Sequence, residues 1–197
     1  WCWGDNTVGQ LGGFVATGTD SSTPVPVTAT NLTSATKIAA GGDTTCAIRG
    51  SDNTVWCWGE GSGGQLGNGA SVDSNVPVQV STTNLTTATA VAVGPGHACA
   101  IRGSDNTVWC WGTNGTGGAL GNNSTALSNI PVQVNTTNLT SATKIAAGAS
   151  NTCAIKASDN TLWCWGYGWP YITGNGSNSH LLVPGQVTAT NLNTANA

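Results

Sequence analysis

The sequence lacks methionine and carries few charged side chains. Among its 197 residues, lysine and arginine together number five, and aspartate and glutamate together number eight. Threonine, asparagine, serine and glycine must therefore solvate the surface, a composition typical of secreted proteins. The cations stand singly along the chain, with no cluster that would neutralise a row of phosphates, which argues against nucleic acid as a partner.

Long apolar runs are also missing. No stretch approaches the roughly 18 consecutive apolar residues that a membrane helix requires, so the sequence predicts no membrane span. The chain begins at Trp1 without the charged and apolar leader that directs secretion. We therefore expect a mature fragment of a longer protein.

The most prominent feature that is present is an internal repeat. The tetrapeptide Trp-Cys-Trp-Gly recurs every 53 to 55 residues, and a Cys-Ala-Ile block and a Pro-Val-x-Val block keep the same phase. Its first tryptophan is found at Trp1, Trp56, Trp109 and Trp163. This spacing predicts a single partial repeat domain over 1–197, with units 1–55, 56–108, 109–162 and a truncated 163–197.

Each unit consists of short strand-forming runs. Residues 44–49 and 54–58 are rich in β-branched and aromatic side chains and flank a Gly-Ser-Asp-Asn turn, which predicts a β-hairpin. No stretch shows helical periodicity, which excludes ankyrin, leucine-rich and other helix-containing repeats. The pattern favours an all-β fold, namely a β-propeller present as an open arc of about three and a half blades. The two tryptophans of the Trp-Cys-Trp block recur in every unit, so we expect them to pack between blades.

Six of the seven cysteines form pairs that flank this turn at equal distances from its centre. The symmetry places the two members of a pair opposite one another on adjacent antiparallel strands, where a disulfide fits. A zinc site, the rival explanation, lacks both a Cys-x-x-Cys motif and histidines in repeat phase. We therefore predict disulfides, no bound metal and an oxidising compartment. The pairs are Cys46 with Cys57, Cys99 with Cys110, and Cys153 with Cys164.

Cys2 is left without a partner in this scheme. The repeat places its partner 11 positions upstream, before Trp1. The last unit also stops at Ala197, before its Cys-Ala-Ile block. We therefore expect part of a ring, with Cys2 unpaired.

Phased motifs over nearly the whole chain resemble a known repeat. Trp58-Gly59 is followed by Gly-Gln-Leu-Gly at 64–67, Val-Pro-Val at 76–78 and His-Ala-Cys-Ala-Ile at 97–101. This order resembles the regulator of chromosome condensation family, in a secreted bacterial-type variant. The resemblance implies a propeller, usually of seven four-stranded blades.

The same resemblance implies several unrelated activities, because the fold hosts more than one function. One member exchanges guanine nucleotide on a nuclear GTPase, and similar bacterial propellers include a secreted β-lactamase inhibitor. The cysteine pattern and the shortage of cations argue against the nuclear activity. An inhibitor-like role, in which a rigid disc presents loops to a protein, is compatible with them.

The fourth unit departs from the pattern where the others carry Gly-Gln-Leu-Gly or Gly-Ala-Leu-Gly. It has instead an aromatic segment with Tyr167, Trp169 and Tyr171, and the sole phenylalanine, Phe14, lies in another irregular loop. Such aromatic side chains either bind a sugar or a protein, or they fill the space left by the missing Gln-Leu corner. The sequence leaves both alternatives open.

Asn-Leu-Thr sequons recur in phase at Asn31, Asn84 and Asn138. They are candidate glycosylation sites, or a by-product of a surface rich in asparagine and threonine. The single carboxylate of each Ser-Asp-Asn turn is explained as a turn cap and offers no acid/base pair. We therefore predict no catalytic residue, no cofactor and no enzymatic activity.

Two functions fit these features. The first is a non-enzymatic extracellular structural or adhesive module, part of a larger surface protein or an extracellular assembly, whose partners are proteins or other copies of itself. The alternative is a specific binding propeller, lectin-like or protein-inhibitor-like, that uses the irregular aromatic loops to bind a carbohydrate or a protein.

Overall fold

The computed structural model describes residues 1–28 and 32–188, and every helix or strand in these ranges is a β-strand. The strands form four antiparallel sheets, one with two strands and three with four. We call the two-stranded sheet the half-blade and the others blades 2, 3 and 4. The half-blade consists of β1 (Cys2–Gly4) and β2 (Ser21–Val25).

Each complete blade is a meander in which strands that are consecutive in sequence are also neighbours in the sheet. Blade 2 consists of β3 (Ala35–Gly41), β4 (Thr44–Arg49), β5 (Val55–Gly59) and β6 (Ser74–Gln79). Blade 3 consists of β7 (Ala88–Val93), β8 (His97–Arg102), β9 (Val108–Gly112) and β10 (Ser128–Gln133). Blade 4 consists of β11 (Ala142–Ala147), β12 (Asn151–Lys156), β13 (Leu162–Gly166) and β14 (Leu181–Gln186).

A blade does not coincide with a sequence unit. Its first two strands come from the end of one unit, and its last two strands begin at the Trp-Cys-Trp-Gly block of the next unit. β7 contacts both β3 and β11, so the first strands of successive blades lie side by side along the inside of the arc. The expected all-β propeller, present as an open arc, is confirmed.

The hairpin at the centre of each blade has the predicted turn. In blade 2 the Arg49 N–H donates to the carbonyl of Thr54 at 2.8 Å, and the Asn53 N–H donates to the carbonyl of Arg49 at 2.9 Å. Asn53 has a φ of 59°. Asparagine tolerates this left-handed conformation better than most residues, which explains its place in the turn.

Blades pack face to face, and the two faces of a blade differ. The face that meets the following blade carries the cysteines, so in blade 2 Cys46, Ile48 and Cys57 belong to the same buried cluster as Trp109 and Trp111 of blade 3. The interface between blades 3 and 4 repeats this arrangement. We call the face of a blade that carries the disulfide the cysteine face, and the opposite face, which carries the tryptophans of the Trp-Cys-Trp block, the tryptophan face. Each blade therefore depends on its neighbours for a core, as in other repeat proteins.

Candidate interaction surfaces

A cross-strand disulfide holds the central hairpin of every complete blade. The bonds join Cys46 to Cys57, Cys99 to Cys110 and Cys153 to Cys164, and the paired Cα atoms lie 4.0 to 4.1 Å apart. In each case the two cysteines are direct register partners on adjacent antiparallel strands. The predicted disulfides are confirmed, and they join strands that also share the sheet's hydrogen bonds.

The aspartate side chains of the recurring Ser-Asp-Asn turns form hydrogen bonds with neighbouring residues of the same turn. Asp52 accepts hydrogen bonds from Arg49 Nε at 3.0 Å and from Thr54 Oγ1 at 2.8 Å, while Arg49 lies over the Trp56 ring, 4.7 Å from its centroid. The hydrogen bond from Arg49 holds the pKa of Asp52 well below its usual range. The turn of blade 3 repeats this geometry. These aspartates stabilise turns, and none is poised to exchange a proton near neutral pH.

In each complete blade, the second tryptophan of the Trp-Cys-Trp block joins the blade to the preceding one. Trp58 Nε1 donates to the carbonyl of Gln10 at 2.9 Å, and Trp111 Nε1 donates to that of Gln65 at 2.8 Å. Trp165 makes the same bond to Ala119 at 2.9 Å. These indoles are buried, so their function is to pack blades together, as the sequence predicts.

The first block of the chain behaves differently. Trp1 and Trp3 are 75 % and 63 % exposed, whereas Trp58, Trp111 and Trp165 are at most 1 % exposed. The expectation that every paired tryptophan packs between blades is therefore wrong for these two. The physical reason is that, within residues 1–28 and 32–188, no blade lies against the tryptophan face of the half-blade.

The opposite end of the arc exposes a cysteine face. On blade 4 a cavity of about 240 Å³ is lined by Lys144, Ile145, Cys153, Ile155 and Leu162. The corresponding surfaces of blades 2 and 3 are buried under the next blade. The two ends of the arc are therefore complementary, because a tryptophan face covers a cysteine face at the two interfaces between complete blades.

The aromatic segment of the fourth unit is largely solvent-accessible. Trp169 is 59 % exposed and Tyr171 is 62 % exposed, whereas Tyr167 stacks on His180 with ring centroids 4.6 Å apart. The buried Thr173 takes the place of the leucine found in the other units. Trp169 and Tyr171 do not fill the missing corner, so the space-filling alternative does not describe them.

Phe14 is also exposed, at 62 %. It lies between β1 and β2, and the fourth-unit aromatics lie between β13 and β14. The connections between the third and fourth strands of successive blades emerge on the same side of a propeller. The two loops therefore lie on the same side of the arc. The structure places these residues on one rim but does not bring Phe14 into contact with Trp169.

The buried side chain of His97 in blade 3 forms a hydrogen bond to Thr152 in blade 4, a contact that the sequence does not predict. Its Nε2 lies 2.8 Å from Thr152 Oγ1, which donates to the carbonyl of Ala119 at 3.0 Å. Thr152 must therefore accept its second hydrogen bond from His97 Nε2–H. Burial lowers the pKa of His97 to about 4. Its sister residues are Thr44 and Asn151, so no repeat signal marked the position.

The sequons differ in accessibility. Asn84 and Asn138 are exposed, whereas Asn31 lies outside the described residues. Asn114, which also begins a sequon, is 3 % exposed and donates through Nδ2 to the carbonyls of Ser124 and Ala126. Its side chain is part of the loop's internal structure and is not a glycosylation site in the folded protein.

The part of the chain that the structure describes has neither a cluster of metal-binding side chains nor a helix that could span a membrane. There, no group of three or more histidine, cysteine, aspartate or glutamate side chains is arranged to hold a metal ion. The same residues contain no helix long and apolar enough to cross a membrane.

Comparison with known proteins agrees with this architecture. The model of the regulator of chromosome condensation (RCC1) repeat matches residues 1–48, 52–101 and 105–155. The ultraviolet-B receptor UVR8 of Arabidopsis thaliana is 30% identical over 190 residues, which are 96% of this chain and 41% of the receptor. The chain thus spans less than half the length of this relative.

Solved structures show the same fold. Human WBSCR16 superposes with a TM-score of 0.79 at 22% identity, over 95% of this chain and 48% of that one. Yeast RCC1 (Prp20), solved bound to Kap60, gives a TM-score of 0.76 at 20% identity, over 95% of this chain and 44% of that one. Both similarities extend over the half-blade and the three complete blades together.

Proposed function

The chain belongs to the regulator of chromosome condensation repeat family, and from that premise we propose that it is a non-enzymatic extracellular structural or adhesive module. It assembles with protein partners, including other copies of itself, through the faces at the two ends of its arc. The family supports protein binding as the general activity, since Prp20 is solved in a complex with Kap60.

The observation that carries this proposal is the complementarity of the two ends. Trp1 and Trp3 are exposed at one end, and Cys153, Ile155 and Leu162 line an open cavity at the other. Large exposed apolar surfaces on a folded protein mark interaction sites. Because a tryptophan face meets a cysteine face inside the arc, a second copy satisfies both ends in a head-to-tail arrangement.

An extracellular location is supported by the disulfides. One disulfide in each complete blade favours an oxidising compartment, because cytosolic reductants keep most cysteines as thiols. The shortage of charge points the same way. A secreted bacterial-type variant of the family is the form of the protein that these features favour.

Sedimentation velocity over a range of concentrations tests assembly. We expect the oxidised chain to associate as its concentration rises. Two variants are each expected to stay monomeric: a head variant with Trp1→Ser and Trp3→Ser, and a tail variant with Leu162→Glu. Mixed in equal amounts they should form a 1:1 dimer, because the mixture has one intact head and one intact tail.

The matched control is Val72→Ser, which removes a side chain that is 63 % exposed on a loop away from both ends. This variant should associate like the parent chain. A parent chain that stays monomeric at every concentration, or end variants that associate as it does, would contradict assembly through the end faces.

A second candidate is the specific binding propeller, favoured by the exposure of Trp169 and Tyr171. Exposed aromatic side chains on a rim are suited to stack on a sugar ring or to anchor a protein loop. A glycan array and a protein pull-down with the parent chain, Trp169→Ala and Tyr171→Ala test it. Absence of any ligand, or equal binding by the variants, would remove this candidate.

A further inference from the structure

A cavity of about 240 Å³ lies between blades 3 and 4. Its floor contains the buried residues His97 and Ala119, and its sides are formed by residues 113–117, by residues 149–150 and by Tyr167. The first of these segments belongs to the connection between β9 and β10, and the second to the turn between β11 and β12. Both blades are complete, so this cavity is a feature of an interior blade interface.

Two residues that are specific to this interface leave the cavity open. Between the half-blade and blade 2, Gln10 Nε2 donates to Asp43 Oδ1 at 3.1 Å, so the two side chains together span the equivalent gap. Ala119 takes the position of Gln10 in its unit, and Ser150 takes the position of Asp43. Both side chains are too short to meet across the interface. The space that a glutamine and an aspartate fill in one interface is therefore available to a ligand in the other.

His97 presents an unused hydrogen-bond acceptor at the floor of the cavity. Its Nε2–H donates to Thr152, so its Nδ1 carries the lone pair, and no described residue donates to that atom. The described residues also contain no fully buried side-chain nitrogen or oxygen without a partner. Nδ1 is therefore in contact with solvent, which reaches it through the cavity that His97 lines. Burial lowers the pKa of His97 to about 4, so the ring is neutral near pH 7 and Nδ1 is available to accept a hydrogen bond from a ligand.

The remaining polar groups of the cavity are hydroxyls and amides, and no charged side chain lines it. The hydroxyls of Thr116 and Ser150 form no hydrogen bond with another described residue, so each can donate to a ligand and accept from it. An ionic ligand would lose hydration here without meeting an opposite charge. The lining therefore favours a neutral ligand that carries several hydroxyl groups.

Tyr167 gives the cavity an aromatic wall that is held in place. Its ring stacks on His180 with centroids 4.6 Å apart, and its backbone N–H donates to the carbonyl of Ser150 at 2.8 Å. A sugar ring has an apolar C–H face that packs against an aromatic ring, while its hydroxyls bond to the polar groups around it. The combination of an aromatic wall, free hydroxyls and a neutral acceptor therefore suits a sugar.

The loop that forms one side of the cavity is fixed by its own hydrogen bonds. Asn114 is 3 % exposed and donates through Nδ2 to the carbonyls of Ser124 and Ala126. Its Oδ1 accepts from the Leu120 N–H at 2.9 Å. Because this side is ordered before a ligand arrives, binding costs little further ordering of the chain.

We propose that this cavity binds the terminal sugar residue of a neutral glycan. The C–H face of the sugar ring packs on Tyr167, and one hydroxyl donates to His97 Nδ1. Neighbouring hydroxyls bond to Thr116 and Ser150. The volume of about 240 Å³ lies below the roughly 300–1,000 Å³ of sites that hold drug-sized molecules, which matches a single ring. The inference rests on the second candidate function, the specific binding propeller, and specifies its ligand and the site that holds it.

Ligand-observed NMR with methyl glycosides tests the site, because a methyl glycoside stands for the terminal residue of a glycan. The probes are the α and β methyl glycosides of glucose, galactose, mannose and N-acetylglucosamine. At least one should bind with a Kd of about 1 mM, the affinity expected for so small a ligand. The same sugar should shift the Hε1 signal of His97, which is identified by comparison with His180→Asn because the chain has two histidines.

Two substitutions should weaken binding for different reasons. Ala119→Gln introduces the residue found at Gln10 and Gln65, and it should lower the affinity about tenfold or more because the sugar ring no longer fits. Ser150→Ala removes one hydroxyl at an exposed position and should lower the affinity about threefold or more. Urea unfolding at neutral pH checks that both variants keep the fold. Ser150→Ala leaves the buried contacts unchanged, so it tests the site even if Ala119→Gln is unstable.

Trp169→Ala and Tyr171→Ala are the matched controls and should keep the parent affinity, because neither residue lines the cavity. Absence of binding by every glycoside, or equal binding by the parent, Ala119→Gln and Ser150→Ala, would overturn the proposal. Loss of binding in Trp169→Ala alone would place the sugar on the rim, which supports the second candidate function and overturns this site. Assembly through the end faces is measured without sugar, and Ala119→Gln should associate like the parent chain.

Discussion

Protonation of His97 should weaken the interface between blades 3 and 4. The imidazole is 1 % exposed, and its Nε2–H donates to Thr152, which in turn donates to the carbonyl of Ala119. Burial lowers its pKa to about 4 in the folded protein. The unfolded chain, with a histidine pKa of about 6.5, binds the proton more readily, so stability is complete above about pH 6.5 and is lost as the pH falls towards about 4.

The two pKa values set the size of the effect. At about pH 4.5, preferential protonation of the unfolded state lowers the free energy of unfolding by about 2.5 kcal/mol. Urea unfolding at about pH 7.5 and about pH 4.5 measures it in the parent chain and in His97→Thr, which carries the residue found at the sister position Thr44. The variant should be less stable at neutral pH but should lose less stability on acidification.

The difference between the two chains isolates the histidine, because the carboxylates titrate in both. Val72→Ser, a change at an exposed loop position that introduces and removes no titratable group, is the control and should keep the parent's pH dependence. If the parent and His97→Thr lose the same stability between the two pH values, the buried neutral imidazole does not support the interface in the way described.

Two further substitutions test the contacts between and within blades. Trp111→Phe removes the hydrogen bond to the buried Gln65 carbonyl and should lower the free energy of unfolding by about 1–3 kcal/mol. Its control, Trp3→Phe at an exposed site, should change the free energy of unfolding by less than about 0.5 kcal/mol. Equal effects of these two substitutions would contradict the assigned contact. Gly112→Ala places a Cβ 2.6 Å from a carbonyl oxygen, whereas the Cβ of Gly4→Ala, at a similar positive φ, meets no atom within 4 Å. Gly112→Ala should therefore be about 1–3 kcal/mol more destabilising than Gly4→Ala. Urea unfolding of the four variants at neutral pH measures both differences.

The repeat made much of this fold predictable. The symmetric spacing of Cys46 and Cys57 about a turn predicted both the hairpin and its disulfide, since cross-strand geometry depends only on register. The same logic placed the buried indoles of Trp58, Trp111 and Trp165 between blades. A pattern that recurs in every unit reports contacts that every unit makes.

What the repeat could not predict are contacts that differ between units. Trp1 and Trp3 have the same sequence pattern as the buried pairs, and only the arrangement of the blades shows that no neighbour covers them. His97 acts through Thr152, a residue 55 positions away in the next blade. Trp169 and Tyr171 were left open between packing and binding, because exposure depends on which residue fills the corner, and Thr173 does so.

Thiol counting with disulfide mapping tests the central claim most directly, namely that this is a propeller arc stapled blade by blade for an oxidising compartment. The chain is denatured without reductant, alkylated and digested, and the masses of the peptides are measured by mass spectrometry. The structure predicts one alkylated cysteine, Cys2, and three linked pairs with a sequence separation of 11. Alkylation of any of the other six cysteines, or links between cysteines of different blades, would contradict it.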